Sequence, residues 1–158
     1  MACQRNTARR ASCSWVRFNR IRDLGDRLDS AWLATWSRTQ LGIVAILQDR
    51  LDQARELLHE ALTRSVAAHS TGSVTLCLMA FARLALAEGD PERAALLAGA
   101  AGGLRQRAGL RVWPMLRHGE AELIAQIRQA QDPDRFSQMT AAGSRLSKQR
   151  AVAEAIGH

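Results

Sequence analysis

The stretch His118-Gly119-Glu120-x-Glu122 is the part of this 158-residue chain that comes nearest to chemistry. On a helix, His118 and Glu122 would share a face, as paired metal ligands do. A metal site needs a third ligand, and none stands at a useful spacing, so an exposed charged face is the simpler reading. His59-Glu60 and His69-Ser70 have no partner of the right type nearby. Nucleophilic catalysis needs a Ser or Cys beside a base and an orienting group, whereas Cys77 falls on the apolar side of a helical pattern. The run Gly99-x-x-Gly102-Gly103 has the composition of a phosphate loop, but a helical pattern precedes it where a strand is required. Tight helix packing accounts for it better. The sequence therefore points to no catalytic residue, no metal ligand and no cofactor.

Binding is a more promising class. Trp32 and Trp36 stand one helical turn apart and could line a peptide groove, although tryptophans at that spacing are also common in cores. Arg105, Arg107 and Arg111 gather near a helix end and could hold an acidic partner. Cations also favour a helix C-terminus without any partner. Cys3, Cys13 and Cys77 make an odd set without short spacings. That argues against a disulfide framework or a zinc site and for a reducing, cytoplasmic compartment.

The net charge of +7 is uneven. Arg5, Arg9, Arg10, Arg17, Arg20 and Arg22 make residues 1–22 a basic arm without a single acid, and the rest is nearly neutral. Such an arm could bind nucleic acid, or be a solvated leader. Its composition also resembles an organelle transit peptide. Residues 1–12 are expected to be disordered, and residues 15–23 to dock as a short helix through Trp15, Phe18 and Ile21 against the helix of Trp32 and Trp36. No apolar run reaches the ~18 residues of a membrane span.

The elements that must position these residues are helical. Ala, Leu, Arg and Glu dominate, aromatics are 4% and Tyr is absent. Apolar positions recur with a 3.6-residue period over about residues 30–48, 51–68, 73–88, 91–106, 114–130, 133–143 and 147–156. Leu24-Gly25-Asp26 reads as a stop and restart, and 69–72 as a loop. Residues 73–88 are apolar nearly all round and should form the central helix. Pro91, Pro114 and Pro133 suit first helical turns. A packing pattern occurs twice, forty positions apart: Leu41, Gly42, Ala45, Ala54, Leu58 and Ala61, then Phe81, Ala82, Ala85, Ala94, Ala98 and Ala101. Each copy reads as a helical hairpin with small residues at its closest approach. An all-α stack of hairpins follows, with two hairpins over 23–110 and a helical extension over 111–158.

These residues resemble tetratricopeptide-type repeats, the second copy being degenerate. A more specific resemblance rests on Leu24-Gly25-Asp26, Leu41-Gly42, the run from Leu84 through Glu88-Gly89-Asp90-Pro91 to Leu97, Ala100-Ala101, Leu146-Ser147 and Ala151-Val152. In that order they resemble the C-terminal helical region of actinobacterial, notably mycobacterial, LuxR-type transcriptional regulators, which are similar to signal-transducing ATPases with numerous domains. The resemblance implies a non-enzymatic sensor or protein-interaction module, a detached fragment whose partner is an ATPase or regulator in trans, or a second copy of itself. No G-x-x-x-x-G-K-[ST] is present, and no helix-turn-helix follows. Lys148-Gln149-Arg150 stands where the family commonly has acids, and residues 1–22 do not match it.

Overall fold

The computed structural model describes residues 2–28 and 30–157, with side chains from residue 14 onward. Eight helices pack against one another, and no strand occurs among the described residues. They are α1 (Ala2–Arg27), α2 (Ala31–Leu47), α3 (Leu51–Ala67), α4 (Thr71–Ala87), α5 (Pro91–Arg107), α6 (Pro114–Gln129), α7 (Pro133–Ser144) and α8 (Lys148–Ile156).

One turn is used four times. Helices α2 to α5 are each 17 residues long and begin at positions 31, 51, 71 and 91. Each ends in a left-handed residue: Asp49, His69, Gly89 and Gly109. The next N–H reaches back to a carbonyl five residues earlier: Arg50 to Ala45, Ser70 to Ser65, Asp90 to Ala85 and Leu110 to Arg105, at 2.9–3.1 Å. This double closure satisfies the last carbonyls of the helix. After the first three turns, that same residue starts the next helix. Ser70 and Asp90 cap α4 and α5 with their side chains, while Arg50 precedes α3 without a side-chain cap. The loop anticipated over 69–72 is thus shorter, and Gly72 lies in the first turn of α4.

Small residues bring the hairpins together. Leu41, Gly42, Ala45, Ala54, Leu58 and Ala61 are buried, as are Phe81, Ala82, Ala85, Ala94 and Ala101. Ala98 is the exception, half-buried on α5. Helix α4 is the hub, in contact with α2, α3, α5, α6 and α8. Its Cys77 Sγ sits 3.5 Å from both Thr39 Oγ1 of α2 and Ser65 Oγ of α3. Burial pushes this thiol up, against the opposing effect of the two hydroxyls.

Two sequence expectations are corrected at the N-terminus. The backbone of the arm is helical from Ala2 in one continuous α1, so residues 2–12 are not disordered coil. Nor does the helix stop at Leu24-Gly25-Asp26. Gly25 is buried inside α1 where α2 passes closest, and a Cβ there would stand 2.8 Å from Ala34 N. The side chains of Arg5, Arg9 and Arg10 lie outside the described residues. Phe18 meets Trp36 edge-on at 5.5 Å, as the docking of residues 15–23 requires.

The extension joins the stack through α7, which lies along α5. A Cβ at Gly99 or Gly103 would overlap the carbonyl oxygen of Thr140 or Ser144, and one at Gly143 would overlap that of Leu96. The glycine run of α5 is a packing surface whose partner is α7, two elements on. Arg93 donates to the Glu154 and Ala155 carbonyls at 3.1 Å, tying the end of α8 to α5.

Gly102 and Gly103 should respond oppositely to the same change. Open space surrounds Gly102, so Gly102→Ala should stabilise by up to ~1 kcal/mol through helix propensity. Gly103→Ala should cost about 1–3 kcal/mol by forcing α7 away. Urea denaturation midpoints measure both, and equal shifts would contradict the close α5–α7 contact.

Candidate functional site

The twenty-residue rhythm of α2 to α5 ends at Gly109. After Gly109 the next helix would begin near residue 111, but α6 waits until Pro114. Residues 110–113 run outside any helix, and Trp113 takes an extended conformation with φ −60° and ψ 140°. This connection carries Trp113 to Trp32, with ring centroids 5.5 Å apart and planes tilted by 34°. Trp32 in turn stacks on Trp36 at 6.1 Å and 13°. Trp36, Trp32 and Trp113 form a row of indoles joining α2 to the connection. Trp32 and Trp113 remain 47% and 45% exposed, which is high for residues of this size.

The row is one wall of a cavity of about 320 Å³. The first turn of α4 forms another wall, with Ser70, Gly72, Ser73 and Thr75. Arg105 of α5 and Glu120 of α6 meet at its edge, and Leu110, Arg111 and Val112 close it. Arg105 and Glu120 pair through two hydrogen bonds of 2.7 Å, with both side chains largely buried. Arg105 Nε also donates to Thr75 Oγ1 at 3.3 Å. Such a two-pronged pair fixes α6 relative to α4 and α5.

Helix α2, which presents two of the indoles, is anchored by a buried cation. Arg38 holds both oxygens of Asp26 in α1, at 3.1 and 2.8 Å. Its Nε lies 2.9 Å from Glu60 Oε1 of α3, a charge contact outside hydrogen-bond alignment. Burial disfavours the Arg38 charge, but Asp26 and Glu60 outweigh it and its pKa rises. The Arg38 hydrogen bonds hold the Asp26 carboxyl below its ordinary value, against partial burial.

The arginine cluster read from the sequence divides three ways. Arg105 is paired inside the protein. Arg107 donates to the Ser144 and Leu146 carbonyls at 2.5 and 2.6 Å, capping the end of α7 away from the cavity. Arg111 lines the cavity, is exposed and forms no ion pair among the described residues. Trp32 and Trp36 fall together on the same cavity. The sequence reading missed Trp113, the start of α4 and Glu120. The available signal was the three-residue slip between Gly109 and Pro114 in an otherwise regular period.

Of the catalytic and metal candidates, Ser70 and Glu120 line the cavity, engaged as the α4 cap and with Arg105, while His59, His69, Cys77, His118 and Glu122 do not line it. His118 Nε2 lies 3.0 Å from Glu122 Oε1, with the His118 side chain 88% exposed. No group of three His, Cys, Asp or Glu that could hold a metal ion occurs among the described residues. No described helix is long and apolar enough to cross a membrane. On α1, Arg17 and Arg20 are exposed without a carboxylate partner, while Arg22 pairs with Asp23 at 2.8 Å. No protein-family model matches the chain, and neither a curated protein nor a solved structure matches it.

The Arg38 anchor should show in acid. A carboxylate with a depressed folded pKa contributes stability that is complete above its unfolded value, about 3.9, and lost as pH falls through the folded value. Asp26→Asn should cost on the order of 1 kcal/mol at pH 7, a figure discounted for the solvent exposure of that carboxylate. The gap between native protein and variant should close below about pH 4. A gap unchanged down to pH 2.5 in urea titrations would exclude Asp26 as the titrating group.

Proposed function

We propose that this chain is a non-enzymatic binding module of the helical-repeat type, related to the sensor region of LuxR-type regulators, that engages a partner through the face bearing the indole row. The single observation that carries this reading is the cavity. Two exposed tryptophans are held in place by a break in an otherwise regular repeat, and partly exposed indoles on a rigid scaffold are typical anchors of binding. The stacked hairpins with forty-residue spacing support a tetratricopeptide-like relationship. The resemblance of residues 24–156 to the regulators suggests the partner: an ATPase or regulator supplied in trans, in the cytoplasm.

Helix packing supports a relay role as well. The cavity touches α2, α4, α5 and α6, so occupancy would bias the angle between the two hairpins. The alternative role, nucleic-acid binding through the basic side of α1, predicts steep salt dependence from counterion release. The partner reading predicts weak salt dependence, because the indole face is mostly apolar.

The test is complementation in trans. A LuxR-type regulator lacking its own helical repeats is titrated with this chain by calorimetry. Saturable binding is expected, weakened at least about tenfold by the double variant Trp32→Ala/Trp113→Ala. Absence of binding by folded chain, or binding indifferent to both tryptophans, would reject the reading.

A further inference from the structure

Several donors around the cavity are left without partners among the described residues. Helix α4 opens into it at its N-terminus, where the Thr71 and Gly72 N–H groups take no partner among the described residues. Gly72 leaves that end uncovered: a Cβ there would meet only Leu110 Cδ1, at 4.0 Å. Ser73 Oγ accepts from Ser70 at 2.9 Å, and its own proton has no acceptor. The indole N–H of Trp36 is buried without a partner among the described residues and is shut off from the cavity's open space. Arg111 supplies a guanidinium without a carboxylate. Glu120 is the one acid among the described residues that line the cavity, and Arg105 holds both of its oxygens. The helix N-terminus, the Arg111 guanidinium and the Ser73 hydroxyl therefore favour a ligand that brings negative charge and acceptors.

The rest of the cavity is apolar. The indoles, with Leu76, Leu110 and Leu116, offer flat and aliphatic surface within about 320 Å³. That is the low end of the range for small-molecule pockets. A highly charged ligand such as a nucleotide fits poorly, since Arg111 is the one unpaired cation among the described residues that line the cavity.

We propose that the cavity is a binding site for a small amphiphilic carboxylate, with its flat apolar body against Trp32, Trp36 and Trp113 and its carboxylate between the N-terminus of α4 and Arg111. The site rests on the binding-module reading and gives it a ligand class. A carboxylate seated there links the first turn of α4 to the α5–α6 connection, so binding would also fix Trp113 in place.

The experiment uses three probes of one shape: 2-naphthoate, 2-naphthylmethanol and 2-naphthylmethylammonium. Each is titrated into the full chain, with calorimetry and tryptophan fluorescence as readouts. Saturable binding of naphthoate at one site per chain is expected, at least about tenfold tighter than the neutral probe, with no measurable binding of the cation. Arg111→Gln, an exposed change that leaves the melting temperature intact, should reduce naphthoate affinity about tenfold and leave the neutral probe unaffected. Trp113→Ala should weaken both. Equal affinity for the three probes, an unaltered Arg111→Gln titration, or no binding of naphthoate would each overturn the proposal. Loss of naphthoate binding with complementation in trans intact would remove the carboxylate site alone, and the reverse pattern would remove the partner reading alone.

Discussion

Everything in this structure depends on a turn that serves two helices at once. A left-handed residue ends one helix, and the residue after it both closes the old helix by hydrogen bonding and starts the new one. With no spare residue between them, α2 to α5 are locked into antiparallel neighbours of equal length. Equal length and equal turns put residues equidistant from a turn at the same level of successive helices, and residues about forty apart at the same level of every second one. The small residues then coincide where axes approach, which is why Gly42 sits against Leu58, and Cys77 between Thr39 and Ser65.

The same constraint explains why the cavity lies where it does. The fourth turn closes like the others, with Leu110 N bonded to Arg105 O, but the next helix starts only at Pro114, whose ring suits a first helical turn. Glycine at 109 tolerates the left-handed conformation that Asp49 and His69 adopt at a steric cost. The three-residue slip swings α6 off the regular path and leaves α7, with Gly143, to take the place along α5. The resulting gap between α4 and the connection is bridged by stacked rings in place of a fourth close helix.

Charge is arranged to hold the frame more than to display itself. Arg38 joins three helices, Arg93 and Arg107 close the ends of α8 and α7, and Arg105 secures α6. Arg93 and Arg107 take carbonyls left over at helix ends, Arg105 takes a largely buried carboxylate, and Arg38 is itself the buried partner of two exposed carboxylates. Arg111 stands out because its neighbours are engaged in this way. Among the described residues it has no internal acceptor, and it stands beside three indoles and the N-terminus of α4.

The sequence by itself determined the helices and most of their ends. Period, proline and capping signals act within a few residues, so α3, α5, α7 and α8 were legible to within a residue or two, and so were the small residues at 42, 54, 82 and 94. It also showed the two tryptophans one turn apart and the arginine cluster. Tertiary structure alone decided what these residues meet. That α5 uses Gly99 and Gly103 against α7 instead of α6, that α1 runs unbroken through Gly25, and that Arg105, Arg107 and Arg111 part ways all follow from contacts between distant segments. Local pattern carries no information on such contacts, because any helix with the same apolar face satisfies it equally well. The meeting of Trp32 with Trp113, eighty-one positions apart, depends on where a slipped helix comes to rest, and packing geometry fixes that only once all eight helices are in place.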